Sequence, residues 1–143
     1  MSNQVILIRL GSERDTTACK YREDDMQYLL LIYDEESRRP EMTPAEAEVS
    51  WKPWADYSDW LREAGWFVGG EALQRTATAT TLRQVDGKTV TTDGPFAETK
   101  EQLGGFYLID CPNLDDAIEA TKRMPALERG FSVEIRPIYR PEG

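Results

Sequence analysis

The sequence predicts an α+β fold, an antiparallel sheet with two helices on one face, and three observations carry that prediction. Short apolar or alternating runs recur as strands, at "MQYLLLIY", "GWFVGG", "GGFYLIDC" and "FSVEIRPIYR". Two longer stretches between them open on capping residues and read as helices. An Asp-Gly pair between two alternating runs marks a tight hairpin.

The first strand is "MQYLLLIYDEE", in which the apolar run from Tyr28 to Tyr33 is too short for an independent helix and stops at an acidic cluster. A helix then starts at "TPAE", with Thr43 as N-cap, Pro44 in the first helical position and Glu46 three residues after the cap. As far as Gly65, the residues Ala47, Trp51, Trp54, Tyr57, Leu61 and Ala64 fall close to one face. Pro53 removes a backbone donor and is expected to kink or split this helix. Trp51, Trp54 and Trp60 read as core or interface packing rather than as a ligand cage.

"GWFVGGEALQ" reads as the second strand, with a bulge or a close backbone approach at its glycines. In "ATATTLRQVDGKTVTTD" two alternating strands meet at Asp86-Gly87, where both central turn positions need positive φ. "GGFYLIDC" starts another strand at Gly104, ended by Pro112. "NLDDAIEATKRMP" is the second helix, with Asn113 as cap, Asp115 and Asp116 near the positive end of its dipole, and Leu114, Ala117, Ile118 and Thr121 as its inner stripe. In the last strand Val133 and Ile135 face one way. With the hairpin set aside as an insertion, the order is βαββαβ, the split βαβ pattern of a ferredoxin-like fold. Such a sheet has a second face to cover, and a symmetric partner would cover it, so a homodimer is expected.

Composition bounds the function. The chain of 143 residues suits one domain, and its 17 basic against 26 acidic residues give a net charge of −9. No basic run stands out, so no nucleic-acid partner is expected; no apolar run is long enough to span a membrane, so no membrane partner is expected. The opening "MSNQVILIRLGSERD" carries no secretory signal, and Cys19 and Cys111 belong to no metal or redox motif, which reads as a reduced, cytoplasmic protein. Histidine is absent, so no metal or other cofactor is expected, and any catalysis falls to carboxylates, lysine, tyrosine or hydroxyls. Residues 1–25 are polar and aperiodic for most of their length and read as an extension outside the domain, with Met26 a candidate natural start.

The most unusual segment is "TTDGPFAETKEQLGGFYLID", residues 91–110. Asp93 ends a strand and precedes Gly94-Pro95, which set the chain direction; its carboxylate either caps its own turn or faces a cleft as a general acid or base. Glu71, after Gly69-Gly70, is a second candidate carboxylate, or a solvated residue at a bulge. The run from Glu98 to Glu101 reads as a solvated loop face, with Lys100 able to bind an anionic group. Gly104 and Gly105 are expected to return the loop closely to the sheet; a phosphate cradle is the weaker reading, because no helix N-terminus follows. Tyr107 either presents its hydroxyl to a cavity or packs in the core, and Arg136 is expected to pair with an acid.

"TDGPFAETKEQLGGFYLID", with "MQYLLLIY", "AGWFVGGEALQ", "TATTLR" and "SVEIRPI", resembles the YCII-related family, in particular its branch with the Asp93-Gly94-Pro95-Phe96 motif. The resemblance runs from about Met26 to Ile138, and the family domain is taken as residues 26–140. It implies a ferredoxin-like domain that pairs into a dimeric α/β barrel. It also implies a cleft with an acid-base pair of histidine and aspartate, in which Asp93 would be the aspartate, although the histidine of that pair has no counterpart here. Its association with sigma factors implies a partner in transcription initiation. The readings carried forward are therefore a small-molecule enzyme or binding protein with Asp93 in the cleft of a homodimer, a non-catalytic regulatory module associated with a sigma factor, and a purely structural dimer domain.

Overall fold

The computed structural model describes residues 26–141. The extension expected over residues 1–25 lies outside the described residues. Six strands form: β1 (Met26–Asp34), β2 (Phe67–Ala72), β3 (Thr80–Val85), β4 (Lys88–Asp93), β5 (Gln102–Cys111) and β6 (Ser132–Pro137). Three α-helices accompany them among the described residues: α1 (Pro44–Glu63), α2 (Leu114–Lys122) and the short α3 (Pro125–Glu128). The main sheet has the order β2-β5-β1-β6, and each neighbouring pair is antiparallel. That is the predicted α+β, ferredoxin-like βαββαβ architecture. β3 and β4 pair in a separate two-stranded sheet inserted between β2 and β5.

Local chemistry shapes each element. Thr43 caps α1 by accepting from the Glu46 N–H at 3.2 Å, and Asn113 caps α2 by accepting from the Asp116 N–H at 2.9 Å. In the hairpin turn Asp86 has φ 50° and Gly87 φ 77°, the two positive values that this turn requires. Alternation along β1 sends Tyr28, Leu30 and Ile32 into the core, opposite Ile109, Tyr107 and Gly105 of β5. Leu29 and Leu31 point to the other face, opposite Leu108 and Phe106.

Packing corrects several expectations. α1 is not split at Pro53 but runs unbroken for 20 residues. The carbonyl that Pro53 leaves without an intrahelical donor belongs to Val49, which is 75% exposed, so water can satisfy it. Only Tyr57 and Leu61 of the predicted α1 stripe are buried; Trp51 is exposed. In α2 the inner residues are Ala117, Ala120 and Thr121, whereas Leu114 and Ile118 are exposed. The small side chains let α2 come close enough for the buried Tyr57 hydroxyl to donate to the Ala120 carbonyl at 2.7 Å, and that contact sets the rotation of α2. Met124 and Ala126, at and beyond the end of α2, complete this part of the core.

Leu61 is fully buried, so Leu61→Ala is expected to cost about 2–5 kcal/mol in urea unfolding. Tyr57→Phe removes only the bond to Ala120, for about 1 kcal/mol. Burial pushes the Tyr57 phenol far above its ordinary value near 10. The folded chain therefore holds that proton at a pH where the unfolded chain releases it, so this stabilisation is complete below about pH 10 and is lost as pH rises further. Urea titrations above that pH are expected to show a steep loss of stability in the parent chain and a shallower one in Tyr57→Phe.

Candidate functional site

α1 is longer than the part of the core it covers. Twenty residues reach about 30 Å, yet its buried residues, Tyr57 and Leu61, both lie in its second half. The first half overhangs the sheet and leaves a groove of about 970 Å³ between them. Ala47, Ser50, Trp51 and Trp54 of α1 line one wall. Ile32, Phe67, Gly70, Gly105 and Tyr107 line the sheet side, and Lys100, Glu101 and Phe131 stand along the rest of the boundary.

Tyr107 fills the inner end. Its ring lies edge-on to Tyr57 with centroids 5.3 Å apart, and edge-on to Phe67 at 6.3 Å. The hydroxyl lies 2.8 Å from Ser58 Oγ. Ser58 Oγ also donates to the Trp54 carbonyl at 3.0 Å, which uses its single proton, so Tyr107 is the donor to Ser58. Burial raises the Tyr107 phenol above its ordinary value, partly offset by the Ser58 hydrogen bond and the nearby Arg62 charge. At neutral pH this hydroxyl keeps its proton.

At the end of β1, Asp34 is 4% exposed and paired with Arg39, whose Nε donates to Oδ2 at 2.6 Å and Nη2 to Oδ1 at 2.5 Å. This two-pronged geometry suits the planar guanidinium, and the hydrogen bond to Asp34 is the main cause that raises the Arg39 pKa. The pair lines the groove. Neither residue is singled out in the sequence reading, where Asp34 merely closes a strand. The signal present was an acid ending a buried strand with an arginine five residues on.

The glycines are explained by what lies against them. Gly104 is the extra residue of a bulge in β5, since Ile32 pairs with Gly105 and Tyr33 with Leu103. A Cβ on Gly104 would stand 2.8 Å from Arg39 Nη2 and 3.0 Å from Asp34 Oδ1. On Gly105 it would meet the Glu71 carbonyl oxygen at 2.9 Å, and on Gly70 the Tyr107 Cδ1 at 2.8 Å. The Gly104-Gly105 pair thus lies inside β5 rather than at its start, and makes room for the ion pair on one side and the β2 backbone on the other.

Glu71, Lys100, Tyr107, Gly104 and Gly105 all border the groove, although they come from three separate elements or loops. Asp93, Gly94, Pro95 and Phe96 are not among its lining residues. Asp93 is exposed at the end of β4, and its carboxylate forms no hydrogen bond among the described residues. The turn is held by the backbone instead: the Gly94 N–H donates to the Ala79 carbonyl at 2.7 Å, and Thr81 Oγ1 donates to the Gly94 carbonyl at 2.8 Å. Gly94 has φ 103°, which excludes most side chains there. Phe96 is 74% exposed. Arg136 pairs with Glu134 at 3.6 Å, on the surface.

Gly104→Ala is expected to lower stability by roughly 1–3 kcal/mol in urea unfolding, because the ion pair must shift. In an Arg39→Ala background the same substitution should cost less, since the side chain that it crowds is gone; a double-mutant cycle measures the difference.

The profile of the YCII-related domain matches residues 26–140. An uncharacterized protein of Rhizobium meliloti (strain 1021) is 40% identical over 119 residues, covering 81% of this chain and 96% of that protein. A match over this span, on a ferredoxin-like frame with the expected strand order, places the chain in the YCII-related domain family.

Proposed function

We propose that the chain binds a small molecule in the groove beneath the first half of α1, with Glu71, Lys100 and Tyr107 as polar contacts. What supports this reading is convergence: three side chains from distant segments border one cavity of about 970 Å³, within the size range of ligand pockets. The aromatic wall supplies apolar area, and the Tyr107–Ser58 hydroxyl pair and the Asp34–Arg39 ion pair supply orienting groups.

Asp93 enters this reading only through a second copy. It is exposed and outside the groove of its own chain, so an acid-base role in a homodimer cleft requires the partner to bring the cavity to it. One observation favours an interaction surface as a second reading. The β3–β4 hairpin packs closely on no other described element and leaves Leu82, Val85 and Val90 exposed, with Phe96 beside it. A homodimer contact, or the regulatory association with a sigma factor, belongs to that surface.

Thermal unfolding against a metabolite library tests the first reading. A ligand at one hundred times its dissociation constant adds about 2.7 kcal/mol to the folded state, a clear rise in Tm. Ala47→Trp, which fills the groove from the overhanging half of α1, is expected to abolish the rise without loss of intrinsic stability. Asp93→Ala should leave it unchanged if one chain makes the site, and remove it if a partner's Asp93 completes the site. No compound raising Tm in the parent chain, together with a discrete dimer lost on Leu82→Asp, would favour the interaction reading instead.

A further inference from the structure

The charge of the groove opposes that of the chain. The chain carries −9 overall, yet six basic and only four acidic residues line this cavity. Two of the acids are already matched, Asp34 by Arg39 and Glu35 by Arg38. Among the lining residues Arg62, Arg75, Lys100 and Arg129 then face only Glu71 and Glu101, and Arg62 also pairs with Asp59 outside the lining. A locally cationic cleft in an acidic protein favours a small anion over a cation.

Two of these cations are held in place by aromatic rings. The Arg62 guanidinium lies 4.3 Å from the Phe67 ring centroid, and that of Arg129 lies 5.9 Å from that of Trp54. Arg129 commits both terminal nitrogens to Ser50. Arg62 commits only Nη1, to Asp59 in an exposed pair at 3.2 Å. A guanidinium carries five N–H donors, so Arg62 retains most of its fork. It is also near enough to Tyr107 to act on that phenol's charge.

We infer that the groove takes a molecule with an apolar body and a carboxylate end, the carboxylate seated between the Arg62 guanidinium and the Tyr107 hydroxyl. The inference rests on the groove-binding reading above and names its ligand class. Ser58 makes the seat adaptable. When its hydroxyl turns from the Trp54 carbonyl toward the Tyr107 oxygen, Tyr107 no longer needs to donate to Ser58, and its proton is free for the carboxylate. No heavy atom has to move. The apolar body lies along Trp54 and Phe67, the rings against which Arg129 and Arg62 rest.

Three matched probe sets test this by titration calorimetry at low salt. Each set has one body (octyl, phenylpropyl or 2-naphthylethyl) ending in a carboxylate, an alcohol or an amine. In at least one set the carboxylate is expected to bind roughly tenfold more tightly than the alcohol, the scale of one charge-assisted hydrogen bond, with the amine weakest. Arg62→Gln should erase that advantage of the carboxylate over the alcohol at an unchanged Tm of the free chain, and Tyr107→Phe should reduce it. Equal binding of all three end groups, or a carboxylate preference that survives Arg62→Gln, overturns the anion seat while the groove reading stands. Failure of every probe to bind the parent chain overturns both.

Discussion

Tyr107 joins β2, β5 and α1 through a single set of contacts. Its ring occupies space that Gly70 leaves empty on β2, meets the edge of Tyr57 on α1, and places its hydroxyl on Ser58 one helical step further along α1. One side chain on the central strand β5 thereby locks an edge strand and a helix at once. Tyr57 passes the constraint on, through its own hydroxyl, to the Ala120 carbonyl of α2. Each of these bonds is worth only about 1 kcal/mol net, but together they leave the two helices little freedom to rotate over the sheet.

The groove follows from that constraint. With Tyr57 and Leu61 pinned to the core, the preceding helical turns stand off from the sheet, and the apolar stripe of α1 continues across the groove from it. A stripe that would ordinarily be core becomes a cavity wall. The Asp34–Arg39 pair lines the same groove, with Asp34 buried and Arg39 half-buried beside the bulge where Gly104 has no side chain. Removing either member would strand a charge, which explains why a bulge, a glycine and an ion pair occur together.

Charge is distributed with the same economy. The acidic residues that dominate the composition lie mostly on the outer surfaces, in pairs such as Lys52–Asp56 and Lys122–Glu119 that contribute little in water. The arginines gather around the groove, two of them stacked on aromatic rings. The net charge therefore describes the exterior of the molecule and gives the wrong sign for its cavity.

Much of the fold was legible in the sequence because it depends on neighbours along the chain. The caps at Thr43 and Asn113, the Asp86-Gly87 turn and the alternation in β1 are each decided within a few residues, and together they determine the order and type of the elements. Of the candidate site, Glu71, Lys100 and Tyr107 were legible as unusual residues, but their meeting around one groove was not. Helix rotation depends on which side chains are small enough for close approach: Ala117 and Thr121, expected on the inner stripe of α2, are joined there by Ala120, while Leu114 and Ile118 are exposed. The roles of Asp34, Arg39, Ser58 and Arg62 come from partners in other elements or from the cavity itself. Strands, helices and turns rest on local backbone energetics and so can be read from the order of residues. Where the cavity lies and which charges face it emerge from packing between segments distant in the chain, which no local pattern encodes.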